Sequence, residues 1–397
     1  MFMDFQQIYN RKQTNSLKWD HLKAVFQTDD IIPLWVADMD FKAPEEVNQA
    51  LIERATHGIY GYTIITEEIK DIVTNWVKNR HNWQINNRWL TFSPSVLTSL
   101  HIAIQSFTNK NDKIMIQTPV YTPFFNLLKN GNREIIRNSL HFNGEKYEID
   151  FEDFEEKLKQ GVKAFILCSP HNPVGRVWKK WELTKMAELC LQYNVLIFAD
   201  EIHADLVLEG FKHTPIASLS NKIAQQTITF MSPTKTFNLA GLHASFIVTP
   251  DRNKQKVMEE QLAISGFSML NTMGITALEA AYKQGEQWLN QLLKIVAENK
   301  KIACKMIAEQ TNGRLKIIDS EGTYLLWMDC KNLGMNDKEL HQFMIHEAKV
   351  GLNPGSSYGE EGNQFMRINI ACPTAILKQG IQQIITAVNE LPVNLRN

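Results

Sequence analysis

Between Lys113 and Val248 the chain repeats one pattern: a short, largely apolar run, a polar turn, then a helix-length stretch. The runs are Lys113–Gln117, Ala164–Cys168, Val195–Ala199, Ile228–Met231 and Ser245–Val248. A strand with one wet face alternates apolar and polar residues. A run without a polar face must be covered on both sides, as in a largely parallel sheet between two helical layers. That architecture also fixes where chemistry sits, because ligands of open α/β sheets bind beyond the carboxyl ends of the strands.

The intervening segments fit the scheme. Pro44 opens a helix to about Thr56, with Glu45 and Glu46 at its positive end. Further helices are expected over Glu67–Asn79, Leu97–Phe107 and Lys180–Gln192, from Tyr121 onward, and over Phe151–Lys159 with Asp150 as N-cap. Past Met273 the pattern changes. Leu289, Leu292, Leu293, Val296, Ile302, Ala303 and Met306 fall at helical spacing. A strand pair (Leu315–Ile318, Tyr324–Asp329), a helix (Asp337–Ala348) and a closing helix (Ile376–Leu391) then read as a smaller α+β domain.

Composition removes several function classes. A formal net charge of -1 gives no drive toward nucleic acid or an anionic membrane. No run approaches the roughly 18 apolar residues of a membrane span, and Met1–Asp20 has no apolar leader core. The five cysteines are scattered, without C-x-x-C or zinc-ligand spacing, so no metal site is expected. A reducing compartment, the cytoplasm, is the expected location.

Polar residues gather after successive runs. Tyr121 follows the first, Asn172 the second, Asp200 and His203 the third, and Lys235 the fourth. Lys235 has no charged neighbour within seven positions on either side. Burial lowers a lysine's pKa, and a neutral amine condenses with a carbonyl to form a Schiff base. Taken singly, each residue has another reading: Lys235 as a snorkelling side chain, Asn172-Pro173 as a turn, Asp200 as a helix cap, Tyr121 as core. Their joint placement on one sheet edge carries the argument. No dinucleotide fingerprint, P-loop or H-E-x-x-H is present. Gly355-Ser356-Ser357-Tyr358-Gly359 matches G-x-S-x-G but lacks the strand-turn-helix context of a nucleophile elbow.

The ordered set of aromatic, Asn, Asp and Lys resembles the fold-type-I pyridoxal-phosphate enzymes of the aspartate-aminotransferase superfamily. The stretches 35–41 (WVADMDF), 172–178 (NPVGRVW), 200–205 (DEIHAD), 235–242 (KTFNLAGL) and 367–373 (RINIACP) resemble its MalY/PatB-type cystathionine β-lyases, the C–S lyases. The resemblance implies an α/β large domain with a mixed, mostly parallel seven-stranded sheet over residues 44–286. Residues 1–43 with 287–397 would form the small α+β domain.

It also implies pyridoxal 5'-phosphate held covalently by Lys235. Asp200 would pair with the ring nitrogen, Asn172 with the ring 3-oxygen, and Tyr121 would stack on the ring, with His203 supporting it. Val96 and Leu97 amides and Ser232 would hold the phosphate, joined by Tyr62 from a partner subunit of a homodimer with shared sites. Arg367 would clamp the substrate carboxylate, with Ala37, Tyr121 and Asn172 also touching substrate. Many relatives carry an arginine where this chain has His243. Tyr60, Trp35 and Tyr358 are candidates for the leaving-group pocket.

The reaction so implied is α,β-elimination of L-cystathionine or cysteine S-conjugates to a thiol, pyruvate and ammonia. An aminotransferase on the same scaffold, or a regulatory protein that keeps the fold, are the alternatives. No helix-turn-helix or basic patch supports DNA binding.

Overall fold

The computed structural model describes residues 4–392. Seven strands form the main sheet: β1 (Leu90–Ser93), β2 (Lys113–Thr118), β3 (Glu134–Ser139), β4 (Ala164–Cys168), β5 (Leu196–Asp200), β6 (Thr227–Met231) and β7 (Ser245–Val248). Their order is β1-β7-β6-β5-β4-β2-β3, parallel except that β7 runs antiparallel to both its neighbours. The sheet is thus mixed and mostly parallel, as expected.

Alternate residues of one strand serve the two faces, which explains the missing polar positions. Phe165 and Leu167 pack with Phe154, Leu183 and Met186 on one side. Ile166 and Cys168 pack with Leu100, Ile104 and Phe124 on the other. Each such fully buried side chain contributes about 1.5–3 kcal/mol. Register then levels the strand ends. Cys168 pairs with Asp200, and Asp200 with Phe230, so the segments leaving β4, β5 and β6 emerge side by side.

A four-stranded antiparallel sheet (Lys316–Ile318, Leu325–Asp329, Phe365–Asn369, Asn353–Pro354) forms a second layer. The long helix Glu286–Gln310 and the closing helix Thr374–Glu390 pack together beside it. The chain's beginning joins this part, since Ile32–Pro33 pairs in parallel with Val350–Gly351.

Some elements escape the sequence pattern. β1 and β3 are edge strands, and β3 (EIIRNS) carries charge where an edge must resist further pairing. Helix Arg252–Ile264 buries few residues, and Thr272–Gln284 contains Gly274. That glycine is needed for approach: a Cβ there would lie 2.6 Å from the Leu242 carbonyl, in the turn that follows Lys235. β5 ends one residue later than expected, at Asp200, and no helix follows; Ile202–Asp205 form a turn. Gly355–Tyr358 is a 3-10 turn after a two-residue strand, and the Ser357 hydroxyl donates to the Pro354 carbonyl at 2.8 Å, so this is no nucleophile elbow.

Candidate active site

Beyond the ends of β2, β4, β5 and β6 lies a cavity of ≈ 280 Å³. Its lining brings together Ala37, Val96, Leu97, Tyr121, Asn172, Asp200, His203, Lys235 and His243 from the sequence reading, with Pro94, Ser95, Cys168, Ile202, Thr234 and Ala240.

Lys235 sits on a one-turn helix, Pro233–Thr236. Ser232 starts it, accepting the Thr234 amide at 3.0 Å, and Phe237 ends it by donating to the Pro233 carbonyl. The next residue, Thr236, is fixed to buried Asp205 at 2.8 Å, which also accepts from the Trp76 indole at 3.1 Å and bonds His81 Nε2 at 2.9 Å. The lysine is therefore aimed by its flanks. Its Nζ donates to the Ala37 carbonyl at 2.6 Å, which also accepts from the Tyr324 hydroxyl at 3.0 Å. Burial, then the Arg367 charge, pulls the amine down to about 8, against the pull of Asp38 and Asp200. At neutral pH an appreciable fraction is the free base.

Asp200 is buried, and a single backbone donor serves it, the Ile202 amide at 3.1 Å on Oδ1. Burial raises its pKa to about 7. Among the described residues this carboxylate has no cationic hydrogen-bond partner, and it would take a proton or a cationic N–H from whatever occupies the cavity. His203 is held neutral by burial, its pKa lowered to about 3 with Lys235 and Arg367 adding to the effect. Its ring packs edge-on to Tyr324, and its buried Nδ1 has no hydrogen-bond partner. Tyr121 is half-buried on the wall with its hydroxyl pushed up to about 12 by burial and by Asp200, so the ring stays neutral.

Arg367 stands behind Asn172. Its Nη1 donates to Asn172 Oδ1 at 3.1 Å, and its Nη2 to the Trp35 carbonyl at 2.8 Å and Asn353 Oδ1 at 3.0 Å. Nε is buried without a partner. The guanidinium lies over the Tyr358 ring, 5.2 Å from its centre. Occupying Asn172 Oδ1 in this way leaves the Asn172 amide N–H groups for a ligand acceptor.

The start of helix Val96–Phe107 forms another wall, with Ser95 accepting the Thr98 amide at 3.1 Å. The first amides of a helix have no intrahelical acceptor and favour an anion.

Six sequence candidates, Ser232, Tyr62, Tyr60, Arg367, Tyr358 and Trp35, lie off the lining. Ser232 gives its one proton to the Ala244 carbonyl at 2.7 Å, and Thr234 reaches the cavity in its place. Tyr62 is 96% exposed on the loop before helix Glu67–His81 and reaches no part of this cavity within its own chain. Arg367 lies behind Asn172 and the Trp35 carbonyl, and Tyr358 lies beneath it. His243, at φ 51, is exposed at the cavity's edge.

Sequence reasoning missed Tyr324, Thr234 and Asn238. Tyr324 reads as an ordinary strand residue. Asn238 accepts from the Met39 amide and donates to the Met39 and Phe41 carbonyls, so it fastens the 37–41 loop to the lysine segment. Its place three residues after Lys235, among apolar residues, was the available signal. Among the described residues no cluster could hold a metal ion, and no helix is long and apolar enough to cross a membrane.

The chain matches the family model described as Aminotransferase class I and II over residues 29–384. It is 44% identical over 388 residues to cystathionine beta-lyase PatB of Bacillus subtilis, covering 98% of this chain and 100% of that one. Among solved structures, cystalysin from Treponema denticola, which contains a pyridoxal 5'-phosphate cofactor, superposes with a TM-score of 0.96 at 36% identity, covering 99% of this chain and 100% of that one. The PLP-bound C-S lyase from Staphylococcus hominis superposes with a TM-score of 0.91 at 30% identity, covering 98% and 99%.

Proposed function

The chain belongs to the aminotransferase class I and II family, and on that premise we propose that it is a pyridoxal 5'-phosphate-dependent carbon–sulfur β-lyase. The observation that carries this is Asp200 and Lys235 in one cavity, a carboxylate without a cationic hydrogen-bond partner and an amine lowered to about 8.

The residues present fit the cofactor. Asp200 offers the acceptor a protonated ring nitrogen needs, Asn172 has N–H groups left for the ring 3-oxygen, and Tyr121 supplies a flat wall. The Val96 and Leu97 amides, at the helix start beside the Ser232–Thr234 turn, suit the phosphate. Bound there, pyridoxal 5'-phosphate supplies an electron sink for the pair left at Cα when its proton is removed.

The protein's own part follows from its geometry. Arg367 holds the substrate α-carboxylate, with its buried, unpartnered Nε and Asn172 completing the clamp. Lys235 Nζ, free as a base in part at neutral pH, takes the Cα proton. The Ala37 and Tyr324 contacts keep that amine at one place. His203, neutral and buried, adds no charge near the ring. The Cβ–S bond breaks, the thiolate leaves with the sulfur's electron pair and takes up a proton, and the remainder yields pyruvate and ammonia after water adds.

Substrates are small sulfur amino acids, L-cystathionine and cysteine S-conjugates. Incubation with L-cystathionine and no added keto acid is expected to release pyruvate and thiol in equal amounts. Turnover only after a keto acid is supplied would show an aminotransferase instead.

We further propose a homodimer in the cytoplasm, with a large domain over 44–286. Ile59, Tyr60, Tyr62 and Ile64 are exposed together, and Tyr60 and Tyr62 share a groove with exposed Met269. An apolar face of this kind suits a second copy, to whose site Tyr62 would be delivered. All five cysteines are free, in keeping with a reducing compartment.

A further inference from the structure

Lys235 meets the Ala37 carbonyl, and the residues after Ala37 are held by a cluster of four charges. Arg11 grips Asp38 with both arms, Nη1 to Oδ1 at 3.1 Å and Nη2 to Oδ2 at 2.6 Å. The same Nη1 donates to Asp40 Oδ1 at 2.7 Å and to the Met39 carbonyl at 3.1 Å. Lys18, fully buried, donates to Asp40 Oδ2 at 2.7 Å and lies 3.7 Å from Asp38 Oδ1. The Trp19 indole also donates to Asp40, at 2.8 Å. Two bases and two acids thus close into a neutral set around one loop.

That loop is also fixed from the other side. Asn369 donates to the Val36 and Asp38 carbonyls, and Asn238 holds Met39 and Phe41.

We propose that Arg11 and Asp38 are positioning residues for Lys235: their ion pair holds the Ala37 carbonyl against the amine and sets how much negative charge that amine faces. The inference rests on Lys235 being the working amine of the lyase. The charged and titratable groups around that amine are Arg367 from strand Phe365–Asn369, Asp200 at the end of β5 and His203 after it, Cys168 at the end of β4, Tyr121 after β2, Tyr324 before strand Leu325–Asp329, His243 at the cavity's edge, and Asp38 from this loop. Asp38 and Asp200 are the two acids that favour the protonated amine. Asp38 also raises the Tyr324 hydroxyl, after burial, so its charge reaches both partners of the Ala37 carbonyl. Arg11 neutralises it.

Opposite signs follow. Arg11→Gln leaves Asp38 with only the more distant Lys18 charge, 3.7 Å away, and favours the protonated nitrogen. Asp38→Asn removes the acid and exposes Arg11's charge, favouring the free base. The first is expected to move the pH midpoint of the loaded protein's visible band up by roughly 0.5 to 1 unit and the second down by a similar amount. The Arg11→Gln/Asp38→Asn double variant should return near the native midpoint, and Arg11→Lys, which keeps the charge, should stay close to it.

Without the cofactor, the rate at which acetic anhydride acetylates Lys235, followed by peptide mass spectrometry from pH 6 to 10, should rank the same variants in the same order. Midpoints that all move the same way, or none by more than about 0.2 unit in either readout, would overturn the proposal. A loaded protein with no lysine-linked visible band would instead overturn the lyase reading, and the acetylation ranking would still decide this one.

Discussion

Lys235→Ala is expected to lower kcat for pyruvate release from L-cystathionine by at least about 1000-fold, roughly 4 kcal/mol of barrier. A positioned general base supplies on the order of 100- to 10000-fold, and in the proposed lyase this amine is also the covalent anchor. Nothing else in the cavity can replace it. His203, its pKa lowered to about 3 by burial, is a weak base, and Tyr121, pushed up to about 12, stays protonated. The fold should tolerate the change. Among the described residues the amine makes one hydrogen bond, to the Ala37 carbonyl, which keeps Tyr324 as a donor. The segment's shape comes from Ser232, Thr236 and Asn238 instead. Circular dichroism and melting temperature should therefore stay near native. Steady-state pyruvate assays on matched, cofactor-loaded protein check the result; activity within tenfold of native would remove Lys235 from the mechanism.

Asp200→Asn is the second large effect, with kcat expected to fall roughly 100- to 1000-fold. An amide keeps the shape but cannot hold a protonated ring nitrogen by charge, so removal of the Cα proton becomes harder. Its effect on the cofactor-free fold runs the other way. The folded-state pKa of Asp200 is raised to about 7 by burial, above its ordinary value of 3.8. A carboxyl raised in this way costs the fold nothing below pH 3.8, costs more as pH climbs toward 7, and carries its full cost above that. Asp200→Asn should remove this cost. The variant without cofactor should thus gain stability relative to native at pH 8, with a much smaller gain at pH 5. Urea melts at the two pH values measure it. A loss of stability at pH 8 would mean that the carboxylate has a partner inside the protein.

The contrast between what could and could not be read in the sequence has physical causes. Central strands such as Ala164–Cys168 are legible because burial on both faces leaves no polar position. Edge strands such as Glu134–Ser139 are not, because their residues answer to solvent and to the need for an unpaired edge. The site follows the same logic. Asn172, Asp200 and Lys235 come after central strands and could be placed by topology alone. Tyr324 and Arg11 could not, since each reaches the site through the Ala37–Asp40 loop, a contact between segments far apart in sequence. Ser232, three residues before the lysine, is a phosphate-binding group only by the family resemblance. That spacing equally suits a cap, and the structure spends its hydroxyl on the Thr234 amide and the Ala244 carbonyl.

In the proposed lyase the cofactor is anchored at one amine, that of Lys235. Borohydride reduction of the loaded protein, followed by proteolysis and mass spectrometry, tests this most directly. One phosphopyridoxyl mass increment per chain is expected, on the peptide that carries Lys235, with its loss in Lys235→Ala. An increment on a different lysine, or an unmodified Lys235 peptide in fully loaded protein, would contradict it.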